Sequence, residues 1–430
     1  MKISPARTAA FDVLLGIEKE RAFSSVLLPA FEEPLSPQDR GLCHQLVLGT
    51  LRNQIYLDRL IAVLSKGRRI DIEVRIALRL AIYQLKFLDR IPAHSAVNES
   101  VNLVHRAKKS SARPFVNAIL RRLLRETVEL VFTDILDRTS VETSHPRWLL
   151  EKWTTDLGVE EARSLAKANN EEPQAAFRLL STDPRSREDV LKFAHESESV
   201  PGCYLANGNE QSLVQLANEN AVYFQDEGSQ MVARSVQVES GHRILDVCAS
   251  PGGKTGLIAQ KAREKGAIVF AGDITKRRVE LLSENLSRQA IAVDGIIRFD
   301  AVDRLPFDGL SFDSVLVDAP CSGTGTIRHN PELRYLIAPE DFDRFAGKQL
   351  SILISASELV RPGGQLIYST CSLEREENEA VCERFLADVD GFLIAEPLVP
   401  RRFITTERFG RTRPDRDGMD GFFIAAFCRK

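Results

Sequence analysis

Two cysteines stand just beyond apolar, β-branched runs of the sequence, where buried strands would end. Cys321 follows the run Val315–Val317 after Asp318, an alanine and a proline. Cys371 follows the run Leu366–Tyr368 after a serine and a threonine. Parallel strands of open α/β sheets deliver functional side chains at their carboxyl ends. If both strands belong to one sheet, the two thiols face a common cleft, and with Asp318 they could act on a nucleic-acid base.

A pair of thiols beside a carboxylate suits methylation of a pyrimidine at carbon. Cytosine C5 is a poor nucleophile, but a thiolate that adds to C6 turns C5 into an enamine-like nucleophile that can attack a methyl sulfonium group. An acid such as Asp318 can hold the N3 edge of the base while its charge changes. The C5 proton must then leave before the thiol is eliminated. Amino-group methyltransferases are disfavoured, since Pro320 is followed by Cys321 and not by a second proline and an aromatic residue.

Four predicted strand ends carry an acid, at spacings of 27, 27 and 18 residues that fit one strand–helix unit per step. These acids are Asp246, Asp273, Asp300 and Asp318. The turn Cys248–Thr255, which follows the first strand, matches neither the dinucleotide-binding nor the P-loop pattern. A nucleoside that carries a reactive group other than phosphate is therefore expected, and S-adenosylmethionine fits.

The contacts of this cofactor can be assigned to strand ends. We expect Asp273 to bind the ribose hydroxyls and Asp300 to bind the adenine edge. The glycines of the first turn let the backbone approach the amino-acid end of the cofactor closely. The predicted residues of that turn are Cys248, Ala249, Ser250, Pro251, Gly252, Gly253 and Lys254.

The order of predicted elements divides the chain into three parts. Residues 1–135 show helical spacing of apolar positions, and residues 136–235 suggest a small α/β subdomain. In residues 236–430, strands alternate with helices, which predicts a doubly wound, Rossmann-like sheet. The strands predicted there are Arg243–Val247, Ile268–Ala271, Ile296–Phe299, Val315–Val317 and Leu366–Tyr368.

Length and composition are those of a multidomain globular protein. The chain has 430 residues, of which 43% are hydrophobic and 27% charged. No apolar run approaches the roughly 18 residues that span a bilayer. The seven cysteines are scattered and lack paired CxxC spacing, which argues against disulfides or a metal site and predicts a reducing, cytoplasmic setting.

The positive charge is concentrated in the amino-terminal part. Residues 1–130 carry 21 basic against 13 acidic side chains, while the other 300 carry 36 against 47. In the predicted helix Ile72–Arg90, an apolar stripe of Ile76, Leu80, Tyr83 and Phe87 lies beside a stripe of Arg75, Arg79, Lys86 and Arg90. A later helix adds Arg121 and Arg122. Such rows match an RNA backbone, but they equally suit a solvated face of a helical bundle.

The amino-terminal part resembles the all-helical NusB family, whose members bind RNA. The matching residues are Asp39-Arg40, Leu48–Arg52, Tyr83–Leu85, Ile91–His94, Val97–Glu99 and Phe115–Arg121. This resemblance favours RNA contact over a merely solvated face.

The carboxyl-terminal part resembles the RNA cytosine-5 methyltransferases of the Nol/Nop/Sun group. The matching stretches are Asp246–Thr255, Asp318–Gly325, Tyr368–Ser372, Glu376–Glu379 and Asp420–Ala425. With the NusB-like part, the whole chain is similar to the bacterial Sun/Fmu-type enzymes that methylate 16S ribosomal RNA. The resemblance implies that Cys371 is the nucleophile, that Cys321 assists release of the methylated base, and that donor contacts come from 248–254, Asp273, Asp300 and Asp318.

These observations predict an S-adenosylmethionine-dependent cytosine-5 methyltransferase of 16S ribosomal RNA, free or in an early small-subunit particle. The protein is expected to be a monomer. Arg328 and Arg334, which follow the Pro-Cys motif, are expected to hold RNA phosphates. Two alternatives stay open: a transfer-RNA methyltransferase, and a non-catalytic RNA-binding assembly factor. Phe177–Leu180 departs from the family's usual Leu-Arg-Val-Asn, which leaves RNA contacts of the middle part undefined.

Overall fold

The computed structural model describes residues 3–180, 184–208 and 210–430. Two compact units make up the chain. The first contains the residues up to Glu171 together with Ile327–Pro339, and the second contains Glu172–Thr326 and Glu340–Lys430. None of the helices in these described ranges is long and apolar enough to cross a membrane.

The helices are, in chain order, α1 (Pro5–Glu20), α2 (Ser24–Glu32), α3 (Pro37–Arg52), α4 (Gln54–Ser65), α5 (Ile72–Phe87), α6 (Ala93–Arg106), α7 (Arg113–Arg125), α8 (Ile135–Thr143), α9 (Arg147–Leu157), α10 (Val159–Ala168), α11 (Pro184–Val190), α12 (Glu210–Asn218), α13 (Glu227–Ser235), α14 (Gly253–Lys265), α15 (Lys276–Arg288), α16 (Leu333–Leu336), α17 (Pro339–Ser357), α18 (Glu379–Asp388) and α19 (Pro414–Asp417). Short 3-10 turns occur at Ser110–Ala112, Thr324–Thr326, Arg375–Glu377 and Arg401–Phe403.

The strands are β1 (Ala176–Leu179), β2 (Ala194–Glu196), β3 (Cys203–Ala206), β4 (Val222–Phe224), β5 (Arg243–Asp246), β6 (Ile268–Asp273), β7 (Gly295–Arg298), β8 (Phe312–Asp318), β9 (Val360–Thr370), β10 (Phe392–Ala395), β11 (Gly410–Arg411) and β12 (Phe423–Arg429).

Helix α5 is the central helix of the first unit. It packs against α1, α3, α4, α6 and α7, and every residue from Ile76 to Gln84 is buried. The apolar stripe is buried at Ile76, Leu80 and Tyr83, but burial extends around the helix beyond this stripe, and Phe87 at its end is 43% exposed. The helix also ends at Phe87 and not at Arg90, because Leu88 has an extended backbone.

The segment Ile327–Pro339 belongs to the first unit although it follows the Pro-Cys motif in sequence. Arg334 is fully buried in it, and its guanidinium donates to backbone oxygens of Thr143 and Asn169 and to Oδ1 of Asn170. The Tyr335 hydroxyl donates to the backbone oxygens of Leu51 and Ser144, at 2.8 and 2.9 Å. Nothing in the sequence indicated that this segment belongs to the first unit. The predicted domain boundaries at residues 135 and 235 stay predictions.

The second unit contains two sheets. The smaller is antiparallel with the order β2-β3-β1-β4, and its strands lie where alternating residues predicted a small α/β subdomain. The larger has the order β10-β12-β9-β8-β5-β6-β7, with β11 attached to β12. In the larger sheet, β5 to β9 pair in parallel and β12 runs antiparallel to β9. This arrangement confirms the predicted Rossmann-like fold.

Both faces of the large sheet are buried, which is what makes its parallel strands almost continuously apolar. Successive residues of a strand point to opposite faces. Accordingly, Val315 and Val317 lie in one core cluster and Leu316 lies in another. The pairing register of β8 and β9 sets Asp318 opposite Ser369. The sequences that follow these two residues therefore emerge side by side at one edge.

Replacing Arg334 with methionine should destabilise the first unit. The change leaves buried carbonyl and amide oxygens without their donor, and each such orphan costs about 1–3 kcal/mol. We expect the free energy of unfolding to fall by at least about 2 kcal/mol and the melting temperature to fall with it, as measured by calorimetry and urea unfolding. The matched substitution of the exposed Arg90 with methionine should change stability by less than about 0.5 kcal/mol. Equal stability of the two variants would contradict a structural role for Arg334.

Candidate active site

The two cysteines that the sequence placed at strand ends lie in contact. Cys321 follows β8 and Cys371 follows β9, and their sulfur atoms are 3.3 Å apart. Both residues are partly exposed. Since the strands are hydrogen-bonded neighbours, the short separation is a consequence of the sheet register.

The loops that carry the cysteines approach each other more closely than side chains would allow. The backbone nitrogen of Gly325 donates to the Cys371 carbonyl oxygen at 2.9 Å, and that of Gly421 donates to the Gly325 carbonyl at 2.8 Å. A Cβ atom on Gly325 would lie 2.0 Å from the Gly421 oxygen. Glycine at position 325 is therefore required for this close packing.

Asp318 lies between a cation and a hydroxyl group. Its Oδ2 accepts a hydrogen bond from Lys254 Nζ at 2.7 Å, and its Oδ1 accepts one from Ser369 Oγ at 2.8 Å. The ammonium group of Lys254 also lies 5.2 Å from the centre of the Phe422 ring. Burial alone would lower the pKa of Lys254, but attraction to Asp318 and Cys371 outweighs it and raises the pKa above its usual value. Lys254 therefore remains a cation at the site.

The two thiols lie in different electrostatic environments. The pKa of Cys321 is raised well above its usual value, first by the hydrogen bond with Cys371, then by burial and by repulsion from Cys371 and Glu377. Cys321 thus stays protonated near neutral pH. Cys371 is among the groups that raise the pKa of Lys254, so a cation lies near Cys371.

Helix α15 fixes the predicted cofactor loop. Arg278 Nη2 donates to the Ser250 carbonyl at 3.1 Å, and Asn285 Nδ2 donates to the Pro251 carbonyl at 2.8 Å. Gly252 has a φ of +108°, a conformation that glycine adopts readily. A Cβ atom there would lie 3.0 Å from Leu282 Cδ1. The loop is therefore held tightly against α15, and glycine at position 252 permits this close packing.

The strand-end acids differ in burial. Asp246 is 1% exposed, its Oδ2 accepts from Thr255 Oγ1 at 2.7 Å, and its Oδ1 has no partner among the described residues. Burial raises the pKa of Asp246 to about 7. Asp273 is buried and accepts from the backbone nitrogens of Ser250 and Ile274, at 3.0 and 2.8 Å.

The remaining predicted cofactor residues lie around the same strand ends. Asp300 is exposed beyond β7 and accepts from the Val302 nitrogen at 3.0 Å. Cys248 is partly exposed and Ala249 is buried. Burial raises the pKa of the Cys248 thiol, so it has no reactive thiolate at neutral pH.

Some residues that shape the site were not singled out from the sequence. Arg278 and Asn285 lie seven positions apart, which places them on one face of a helix, but nothing in the sequence showed that this face meets the cofactor loop. Ser369 directly precedes Thr370-Cys371, and its role follows only from the strand register that sets it opposite Asp318. Glu377 lay inside a matched family stretch without an assigned role.

The basic residues predicted to contact RNA separate into exposed and buried groups. Lys86, Arg90 and Arg121 are exposed, and Arg75 and Arg122 are partly exposed. In contrast, Arg79, Arg328 and Arg334 have exposed fractions of 3%, 7% and 0%.

Burial argues against phosphate contact by Arg79 and Arg334. Arg79 forms ion pairs with Glu18 at 2.5 Å and with Asp58 at 2.6 Å. Arg334 donates to buried backbone and amide oxygens, and burial lowers its pKa to about 10. Both guanidinium groups are therefore engaged within the protein, and RNA contact is better sought at the exposed residues.

The fold and this site define a Rossmann-like methyltransferase with an additional helical unit. A family model described as 16S rRNA methyltransferase RsmB/F matches residues 233–428, and a NusB family model matches residues 4–125. The chain is 34% identical to the probable ribosomal RNA small subunit methyltransferase B of Bacillus subtilis, with 100% of both chains covered. It is also 34% identical to ribosomal RNA small subunit methyltransferase B of Pseudomonas putida, with 98% of each covered. The chain therefore belongs to the ribosomal RNA small subunit methyltransferase B family, which uses S-adenosylmethionine.

Solved structures share the fold. The crystal structure of PH0851 superposes with a TM-score of 0.85 at 23% identity, covering 99% of both chains. NSun6 from Pyrococcus horikoshii, solved with the S-adenosylmethionine analogue SFG, gives a TM-score of 0.59 at 21% identity, covering 66% of this chain and 98% of that one. At these identities the similarity concerns the fold alone.

The residues present fit S-adenosylmethionine. The loop 250–253 offers backbone at the carboxyl edge of the sheet, and a Cβ on Gly253 would meet the Tyr223 ring at 3.2 Å. The unpartnered Oδ1 of Asp246 is a buried polar atom at the same strand end. Loop 248–254 would hold the amino-acid end, while Asp273 and Asp300 would hold the ribose and the base.

Asp246 should make stability depend on pH in the protein without donor. Its folded-state pKa of about 7 lies above the ordinary value of 3.8, so the folded protein holds a proton that the unfolded chain releases between these values. The stabilising contribution of protonated Asp246 is therefore lost as the pH rises from about 4 to about 7. Replacing Asp246 with asparagine removes this dependence, so the stability of the variant relative to wild type should rise over that range, by up to about 4 kcal/mol, and then level off.

Chemical denaturation at a series of pH values measures this difference. The same substitution at the exposed Asp303 is the matched control and should give a difference that does not change with pH. A pH-independent difference for the Asp246 variant would show that its carboxyl is not the titrating group.

Proposed function

We propose that the protein methylates C5 of a specific cytosine in 16S ribosomal RNA through a covalent bond between Cys371 and C6. The observation that carries this proposal is the 3.3 Å contact between the Cys321 and Cys371 sulfurs at the carboxyl edge of the sheet. Two thiols beside an acid suit formation and later cleavage of a bond to a pyrimidine, whereas transfer to an amino group needs neither.

Cys371 is the nucleophile in this mechanism. Its thiolate forms a bond to C6, the C5=C6 electron pair becomes available at C5, and C5 forms the new carbon–carbon bond. When bound, S-adenosylmethionine supplies the methyl group as an electrophile. Lys254 holds Asp318 in place through the 2.7 Å ion pair and places a positive charge near the reacting base. Asp318 then orients the base at its N3 edge, and the Lys254 cation beside it offsets the negative charge that develops on the ring.

Cys321 acts in the second half of the reaction. The C5 proton passes to a water molecule, its bonding electrons restore the C5=C6 bond, and the bond between C6 and the Cys371 sulfur breaks, so that Cys371 leaves as a thiolate. Because the pKa of Cys321 is raised, this thiol stays protonated and does not compete with Cys371 for C6. Its position beside the Cys371 sulfur suits it to assist release of the product.

Single substitutions of the two cysteines separate these roles. Replacing Cys371 with alanine should abolish methyl transfer and covalent capture of RNA, because the attacking sulfur is gone. Replacing Cys321 with alanine should lower turnover by at least about 100-fold and accumulate a protein–RNA adduct that survives denaturation. Transfer of labelled methyl groups and denaturing gel electrophoresis measure both effects.

The exposed Cys428 serves as the matched control, and its replacement by alanine should leave transfer unchanged. Methyl transfer by the Cys371 variant would exclude the proposed nucleophile. Normal turnover without an adduct in the Cys321 variant would exclude its role in release.

The family relationship favours 16S ribosomal RNA over transfer RNA as substrate. Bisulfite sequencing of both RNAs from cells with and without the protein tests this choice, and the loss of one 5-methylcytosine in 16S RNA is the expected result. A loss confined to transfer RNA would select the alternative substrate. No loss in either would favour a non-catalytic assembly factor. The reactive base has to be unstacked, because C6 is inaccessible in a stacked helix.

The exposed basic residues of the first unit should bind the RNA backbone. Reversing Lys86, Arg90 and Arg121 to glutamate should weaken RNA binding by at least about tenfold and reduce its salt dependence, since fewer counterions are released. Donor affinity should not change. Filter binding at several salt concentrations measures the effect.

The exposed Glu129 lies outside the proposed RNA-binding set and serves as the matched control. Replacing it with lysine also reverses a surface charge, but from negative to positive. RNA affinity that is unchanged in the triple variant would favour a solvated face over an RNA surface.

A further inference from the structure

A buried carboxylate lies behind the two cysteine loops. Glu377, in the 3-10 turn before α18, is fully buried. Its hydrogen-bond partners in the described part of the chain are neutral donors. Burial raises the pKa of Glu377, and hydrogen bonds from Ser322, Ser372 and Gln349 oppose that rise. An acid that is buried among neutral donors lowers the stability of the folded state. Its presence here therefore requires a functional explanation.

The donors that surround Glu377 come from both cysteine loops. Its Oε1 accepts from the hydroxyl groups of Ser322 and Ser372, the latter at 2.6 Å. Its Oε2 accepts from the Ser322 backbone nitrogen at 2.9 Å and from Gln349 Nε2 at 3.0 Å. Ser322 directly follows Cys321, and Ser372 directly follows Cys371. One carboxylate therefore binds the residue after each cysteine.

Neighbouring side chains extend this arrangement to the other side of Cys321. Gln349 Nε2 also donates to the Pro320 carbonyl at 2.9 Å, so the residues on both sides of Cys321 are held. The Tyr368 hydroxyl donates to the Glu377 carbonyl at 2.5 Å and lies 3.1 Å from Gln349 Oε1. The carboxylate is thus fixed by the strand that leads to Cys371 and by helix α17.

Asn378 holds the Cys371 loop separately. Its Oδ1 accepts from Thr370 Oγ1 at 2.5 Å, and its Nδ2 donates to the Ser372 carbonyl at 2.9 Å. These contacts lie on either side of Cys371 and do not reach Cys321. Glu377 accepts hydrogen bonds from both loops, which are also joined directly where the Leu373 nitrogen donates to Thr324 Oγ1 at 2.9 Å.

We propose that Glu377 is a positioning residue that fixes the Cys321 and Cys371 loops relative to each other. Its Oε1 accepts from both serine hydroxyls and so joins Ser322 to Ser372, the residues that adjoin the two thiols. Its charge also contributes to keeping Cys321 protonated. The inference rests on the proposed function, because it assigns the geometry of the pair to a residue that does not touch the base.

Three variants separate positioning from general support of the fold. Replacing Glu377 with glutamine keeps the shape and one acceptor oxygen, and replacing it with alanine removes every bond to the two loops. The control is the exposed Glu383, which forms an ion pair with Arg375 at 2.7 Å and is replaced with glutamine. S-adenosylmethionine binding, RNA KM and kcat for methyl transfer are measured in the full chain.

We expect kcat to fall at least tenfold in the glutamine variant and at least 100-fold in the alanine variant. Donor affinity should stay within threefold of wild type, because the donor loop is held by α15 and not by Glu377. RNA KM should change little, and the Glu383 control should keep its kcat. A kcat that is higher in the glutamine variant than in the alanine variant indicates that the hydrogen bonds of Glu377 contribute to the rate in addition to its charge.

A second readout needs neither RNA nor turnover. The rate of Cys321 alkylation by iodoacetamide is followed against pH, with peptide mass spectrometry to distinguish it from Cys371. Loss of the Glu377 charge in the glutamine variant should shift the onset of alkylation to lower pH, because less repulsion opposes the thiolate. If wild type fails to methylate cytosine while this shift occurs, the proposed function fails and the placement of Glu377 beside Cys321 stands.

Two results would overturn the inference. One is a kcat within threefold of wild type in both Glu377 variants. The other is a loss of donor binding equal to the loss of kcat, which would show general damage. If the Glu377 variants do not fold, Ser322→Ala removes a single hydroxyl donor and should lower kcat several-fold with donor affinity intact. Wild-type kcat in that variant would likewise contradict the proposal.

Discussion

Parallel pairing of β8 with β9 is the constraint on which the site depends. The register sets Asp318 opposite Ser369, so Cys321 and Cys371 emerge three and two residues later from adjacent strands. That register is strongly specified, because both faces of the sheet are buried. A slip of one residue would exchange the side chains that fill the two cores. The 3.3 Å separation of the sulfurs therefore follows from apolar packing beneath the site as well as from polar contacts within it.

The charges around the edge make two neighbouring thiols chemically unequal. Lys254, held by Asp318, supplies a positive charge on the side of Cys371. Glu377 supplies a negative charge behind Cys321 and helps to raise the pKa of that thiol. A reaction that needs one sulfur as nucleophile and the other as a protonated partner requires this asymmetry. Identical environments would let either thiol attack the base.

The sequence predicted the features that depend on local pattern. Apolar runs ending in acids revealed the strands, and the turn after Asp246 revealed the loop that we propose for the cofactor. Features that depend on partners distant in sequence were missed. The periodicity of α5 marked one apolar stripe but could not show that helices surround it. Arg79 looked like a surface cation, because nothing local indicated that Glu18 and Asp58 enclose it. The role of Glu377 depends in the same way on serines 55 and 5 residues away.

Buried acids at the catalytic edge reduce the stability of the fold. Asp246 has an oxygen without a partner among the described residues, and Glu377 is surrounded there by neutral donors; burial raises the pKa of both. Apolar residues of similar size would often be no less stable at such positions. Buried ionisable groups that lower the stability of a fold tend to lie at functional sites. Asp246 leads into the cofactor loop, and Glu377 joins the two thiol loops. The unfavourable burial of these two carboxyl groups is thus concentrated at the elements that we propose to position the donor and the nucleophile, while the apolar strands between them stabilise the sheet.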